Sequence, residues 1–169
     1  MRPWFERRFS FDHLGAADFP YLLERLAGVP GRVEEKTREL ASDVLTRRAG
    51  EAWSIQEHVG HLLDLDGLHD ARLEDYRSGA SVLRPADLKN TKTREARYNE
   101  RPLVELTRAF RGERSRFLGR LEAWDPRGVL ASALHPRLQQ SMRLVDMVYF
   151  VAEHDDHHLR TMTELARTA

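Results

Sequence analysis

The stretch from Leu144 to Leu165 constrains this chain more than any other. Leu144, Val145, Met147, Val148, Tyr149, Phe150, Val151 and Ala152 form an apolar run, and Leu159, Met162 and Leu165 continue it at helical spacing. Inside it lies Val151-Ala-Glu-His-Asp-Asp-His-His-Leu159. His154 and His158 are four residues apart, so on a helix they stand one above the other on the same face. Two imidazoles placed that way can share one cation. A third His on a facing helix would complete a site with open positions, the form used for metal chemistry rather than structural metal. The rest of the chain has to supply helices to cover this face, and one of them has to carry the third ligand.

Read from the start, residues 1 to 16 scatter Trp4, Phe5, Phe9, Phe11 and Leu14 among charges and predict an irregular arm with its aromatics on the body. Asp18 can cap a short helix to about Ala27, and Gly28-Val-Pro-Gly31 breaks it before a second helix to about Leu40. Residues 41 to 53 read as connection. Ser54 with Glu57 three residues on makes a capping box for a helix to about Arg77, striped by Ile55, Val59, Leu62, Leu63, Leu65 and Leu73. Residues 79 to 100 form a long connection. Pro102 opens a third helix to about Ala123, which Asp125-Pro-Arg-Gly128 stops. The segment 129 to 141 reads as a loop, and no stretch alternates with period two long enough to predict a sheet. The expected fold is all-α: four main helices with one long crossover, and a short extra helix in an N-terminal arm (1–28) packed on the bundle (29–169).

The middle helix offers His58, His61 and His69. With Ile55 at zero, His58 falls near ~300° and His69 near ~320°, inside the stripe, whereas His61 falls near ~240°, at its edge. Periodicity by itself favours His58 as the inward ligand. On the last helix, with Leu144 at zero, His158 lies among Met147, Val151 and Met162, His154 at about 280° lies beside them, and His157 at about 220° points towards the rim. A lone His on such a face is ordinarily a hydrogen-bonded core residue. Here the paired spacing, the apolar face and a second His-bearing helix point together to a metal. Asp155 falls in the middle of the apolar stripe, where a carboxylate is costly unless paired, and orienting a metal-bound imidazole is a common use for one. Glu57 reads first as a helix cap, Asp64 and Asp66 as surface charge. Trp53 reads as the staple of the middle helix and Trp124 as the close of the third.

Composition excludes several classes. Lys+Arg and Asp+Glu are both 27, with no basic patch for nucleic acid. The excess of Arg over Lys reflects a GC-rich, bacterial genome rather than phosphate binding. The absence of Cys removes disulfides, thiolate ligands and a cysteine nucleophile, so a metal would be held by nitrogen and oxygen. No apolar run reaches the ~18 residues of a membrane span, and a cytoplasmic protein is expected.

Trp53-Ser-Ile-Gln-Glu-His-Val-Gly-His61-Leu62 resembles the opening of the second bundle helix in the DinB/YfiT-like superfamily. Asn99-Glu-Arg-Pro102 resembles that group's third-helix entry, and His135-Pro-Arg followed by Glu153-His-Asp-Asp-His-His-Leu159 resembles its last loop and metal-binding helix. The resemblance runs from about residue 30 onwards. It implies an up-down-down-up four-helix bundle, often dimeric, binding Zn or Ni through three His. The first ligand would be the His four residues after the Glu, which is His61, and the others His154 and His158; His58 and His157 stand as alternatives. It further implies a metal-dependent hydrolase, or a transferase using a low-molecular-weight thiol such as bacillithiol as cosubstrate, acting on a small molecule. For a hydrolase the candidate bases are Glu57, Asp64 and His58. The contrasting expectation is a stress-related binding bundle whose metal site is structural or vestigial.

Overall fold

Residues 3–168 are described by a computed structural model. The aromatic arm begins with a 3₁₀ turn, Trp4–Glu6, and a second one, Ala16–Asp18, leads into α1 (Phe19–Ala27). Asp18 does not cap α1; its carboxylate accepts from the Gly15 amide at 2.7 Å and closes the preceding turn instead. Between α1 and α2 (Val29–Thr37) the chain stays in right-handed helical conformation at Gly28, whose amide donates to the Glu24 carbonyl. Pro30 has no N–H to offer the Leu26 carbonyl, so the ladder is interrupted there without the chain turning away. A short α3 (Ser42–Thr46) follows in the connection.

The long helix α4 (Ile55–Arg77) starts on the capping box its sequence predicts. Ser54 Oγ accepts from the Glu57 amide at 3.1 Å, and Glu57 accepts from the Ser54 amide at 2.9 Å. The crossover from Ser78 to Pro102 holds α5 (Thr91–Glu95) and a 3₁₀ turn, Tyr98–Glu100, both laid against α4. Gly60 permits the closest of these contacts, because any Cβ there would overlap the Tyr98 ring. Then come α6 (Leu103–Glu122), the strands β1 (Ser132–His135) and β2 (Gln140–Arg143), and α7 (Leu144–Arg167). The segment expected as a loop is therefore a β-hairpin. Its four-residue strands are too short for alternation to stand out, and it is fixed by Leu134, which accepts from the Leu83 amide and donates to the Ser81 carbonyl of the crossover.

Side-chain pairs give the direction of each helix. Along α4 and α6, Asp66 meets Arg114 and Asp70 meets Arg120, so both numbers rise together and the helices are parallel. Arg25 meets Glu153 while Lys36 meets Thr163, so α1–α2 and α7 are parallel as well. His58 meets His158 and Tyr76 meets the Met142 carbonyl, which makes α4 and α7 antiparallel. The result is the up-down-down-up bundle with the crossover joining two parallel neighbours.

Two apolar clusters fill it. One holds Leu26, Leu73, Phe117, Leu121 and Val151, the other Val29, Val59, Leu62, Phe110 and Leu159. Between them lies a buried polar layer. Arg114, 1% exposed at its side chain, donates to Asp66 at 2.8 and 2.9 Å, to Asp155 at 2.7 Å and to the Leu26 carbonyl at 3.2 Å. That carbonyl is the one Pro30 leaves without an amide. No described helix is long and apolar enough to cross a membrane.

Candidate metal centre

The histidines of α4 and α7 meet where these two helices cross. His61, His154 and His158, all buried, each offer one ring nitrogen such that the three lie within 4.8 Å of one another. His154 Nε2 and His158 Nε2 are 3.0 Å apart. Two imidazole nitrogens on one tetrahedral Zn lie about 3.3 Å apart at ordinary bond lengths, so the pair already stands at ligand separation.

The surroundings fix which nitrogen each ring presents. The Asp64 carboxylate only accepts, and the Thr93 hydroxyl donates to it at 2.8 Å. The contact of 3.2 Å between Thr93 Oγ and His61 Nδ1 must then be donated by the ring. His61 Nε2 is left with its lone pair, the form a ligand needs. Asp64 also accepts from the Tyr98 hydroxyl at 2.8 Å and pairs with Lys92 at 3.0 Å. His158 Nδ1 is 2.7 Å from His58 Nδ1. For His158 Nε2 to present a lone pair beside His154 Nε2, its Nδ1 must carry the proton and donate to His58. Burial pushes His58 and His61 down to about 4 and holds His154 and His158 well below the ordinary histidine range, so the rings are neutral at neutral pH. Neutral imidazole is the ligating form.

Aromatic side chains wall the cluster. The Trp53 ring packs on His61 at 4.6 Å between centroids and on His58 at 5.6 Å, and Trp4 of the arm stands edge-on to His154 at 4.9 Å. Beyond them opens a cleft of ≈ 540 Å³ that runs past Leu65, Leu68 and Phe150 to Arg72, His135 and Arg137.

The model of the DinB superfamily matches residues 25–162. The chain belongs to the DinB superfamily. No curated protein matches it. Among solved structures, this DinB-superfamily chain is similar to YfiT from Bacillus subtilis, with a TM-score of 0.82 over 96% of this chain and 93% of that one, at 16% identity. YfiT is described as a probable metal-dependent hydrolase with an unusual four-helix bundle topology.

Within the DinB bundle the residues singled out by sequence fall as follows. His61, His154 and His158 come together. His58, which periodicity favoured, stands one step back and bonds His158 rather than joining the three. His157 lies half-buried on the cleft wall, packed on Trp4. Asp155 does not orient an imidazole: about 100° round the helix from His154, it faces α6 and is held by Arg114. Glu57 is the cap it was read as, tied also to Arg48. Burial alone would raise its pKa, but Arg48 and the Ser54 amide outweigh that and hold it below the usual range. Asp64 and Asp66 are not surface charges, since both are buried. Trp53, read as a staple, lines the histidines. Thr93 and Tyr98 carry no periodic signal, because the long, charged crossover that holds them has only short helical turns.

Proposed function

We propose that this chain is a metal-dependent enzyme for a small molecule, with His61, His154 and His158 holding one divalent cation, Zn or Ni. The observation that carries the reading is the convergence of three buried, neutral imidazoles on the wall of an open cleft. Structural sites close around four protein ligands, and catalytic ones keep a position free. A cation held there supplies Lewis acidity, lowering the pKa of a water or a thiol that enters from the cleft. Thr93 and His58 orient two of the rings through their second nitrogens. Trp4 and Trp53 keep solvent off their flanks.

The description of YfiT supports hydrolysis. Thiol transfer is the second reading, favoured by the state of the carboxylates: Glu57 is tied to Arg48, Asp64 to Thr93, Tyr98 and Lys92, and Asp155 to Arg114. None of these is free to act as a base at the centre, and a thiol already ionised needs none. With no Cys in the chain, that thiol would arrive as cosubstrate.

Elemental analysis of the wild type beside His61→Ala and His154→Ala is the test, followed by ester and amide turnover against conjugation of an electrophile with bacillithiol. The expectation is near one Zn or Ni per chain, lost together with turnover in both variants. A wild type that takes up no metal on incubation with Zn or Ni overturns the proposal and leaves a non-catalytic binding bundle.

A further inference from the structure

The far end of the cleft holds cations that no carboxylate touches directly: Asp75 acts on Arg72 only at a distance, its own hydrogen bonds going to Arg84. Arg72 is 1% exposed, yet no carboxylate lies within 4.0 Å of it among the described residues. Its Nε and Nη2 donate to the Arg84 carbonyl at 3.1 and 3.0 Å, a neutral acceptor, and its Nη1 has only a 3.5 Å contact with His135 Nε2. Arg137, at the hairpin turn, is held among the rings of Trp4, Phe5 and Phe150, and its buried Nη2 has no partner among the described residues. His69, 3% exposed, lines the same cleft with both ring nitrogens unpartnered. The wall's one carboxylate, Asp87, is turned to the amides of Lys89 and Thr91 at 2.9 and 2.7 Å.

Elsewhere in the molecule a buried guanidinium is answered fully: Arg114 has two carboxylates and a carbonyl. A buried charge left without one is costly. In the cleft, the groups left over are all donors or rings able to donate, and they face one space.

We infer that Arg72 and Arg137, with His69 between the arginines and the histidine cluster, form a carboxylate-binding end, so that the small molecule taken by this cleft carries a carboxylate on an apolar body. The eleven residue steps from His61 to Arg72 span about 16 Å of helix. Leu65, Leu68 and Phe150 line the part between, where an alkyl or aryl body would lie. The inference rests on the proposed function for the reacting end of the ligand; its test reads the anion end alone.

Calorimetric titrations of hexanoate and of hexanamide, equal in size and different in charge, decide it on metal-loaded wild type, Arg137→Gln and Arg72→Gln, and again on metal-stripped wild type. Hexanoate is expected to bind at least about tenfold more tightly than hexanamide, and Arg137→Gln to remove about tenfold or more of that preference. If Arg72→Gln unfolds, Arg137→Gln, at the half-buried turn, carries the test with Arg72→Lys as the charge-keeping partner. Equal affinities, binding of neither probe, or a preference untouched by Arg137→Gln overturns the inference. So does a preference that disappears when metal is stripped, since the carboxylate would then sit on the cation. A chain that binds no metal but keeps an arginine-dependent preference defeats the proposed function and leaves this inference standing.

Discussion

At Thr93 a single hydroxyl stands between a carboxylate and a candidate metal ligand, donating to Asp64 and receiving from His61. Thr93→Val keeps the shape of the side chain and removes both bonds. It is expected to lower metal affinity about 10- to 100-fold, the usual cost of losing a group that orients a ligand, read by competition with a chromophoric chelator. Far-ultraviolet circular dichroism should be unchanged. The same contact explains why Asp64, on a polar face of its helix, is buried. With Ile55 at zero it falls at about 180° on the helical wheel, opposite the apolar stripe, which normally means solvent. It is buried by α5 and the Tyr98 turn, and no periodicity of α4 can report a crossover lying across its back. Asp66 is the opposite case. It falls at about 20°, and so do Asp155 counted from Leu144 and Arg114 counted from Leu103. Three charges in three apolar stripes are a legible sign that they meet one another, and a carboxylate beside an arginine has no need of an imidazole.

Among the helices, Arg114 is the point where four elements are tied: α1 through the Leu26 carbonyl, α4 through Asp66, α7 through Asp155, and its own α6. Replacing it by Leu leaves two carboxylates buried and opposed only by water that cannot reach them. The expected loss is about 3–5 kcal/mol, measured by urea unfolding. Removing all three charges together, with Asp66→Leu and Asp155→Leu added, should restore most of it, because the penalty belongs to the unpaired groups. The long helices α4, α6 and α7 could be read from spacing, and the starts of α4 and α6 from Ser54, Glu57 and Pro102. The hairpin could not: strands of four residues, held by the backbone of residues 81–83, are set by tertiary contacts rather than local pattern.

For the molecule as a whole, burial of so many neutral histidines sets its response to acid. His58 and His61 are lowered to about 4, His135 to about 3, and His69, His154 and His158 well below the ordinary value, in each case first by burial. An unfolded chain takes up protons at these positions near pH ~6.5, whereas the folded one resists until about pH 4 or lower. Stability is therefore present above ~6.5 and falls as the pH drops towards 4, by about 1.4 kcal/mol per pH unit for each histidine. Asp66 and Asp155, raised by burial against the pull of Arg114, act with the opposite sign but are outnumbered. Thermal melts of metal-stripped protein at pH 7 and pH 5 should show a lower Tm at pH 5, about 2–4 °C for each kcal/mol lost. A flat profile would mean that the histidines are charged or solvated in the native state.

The contact between His58 and His158 closes a separation of 100 residues. During synthesis on the ribosome, a nascent chain that has emerged only through α6 displays one imidazole of the trio, and the other two are still to be made. The proposed three-histidine site is thus assembled only once α7 has been translated and the bundle closes.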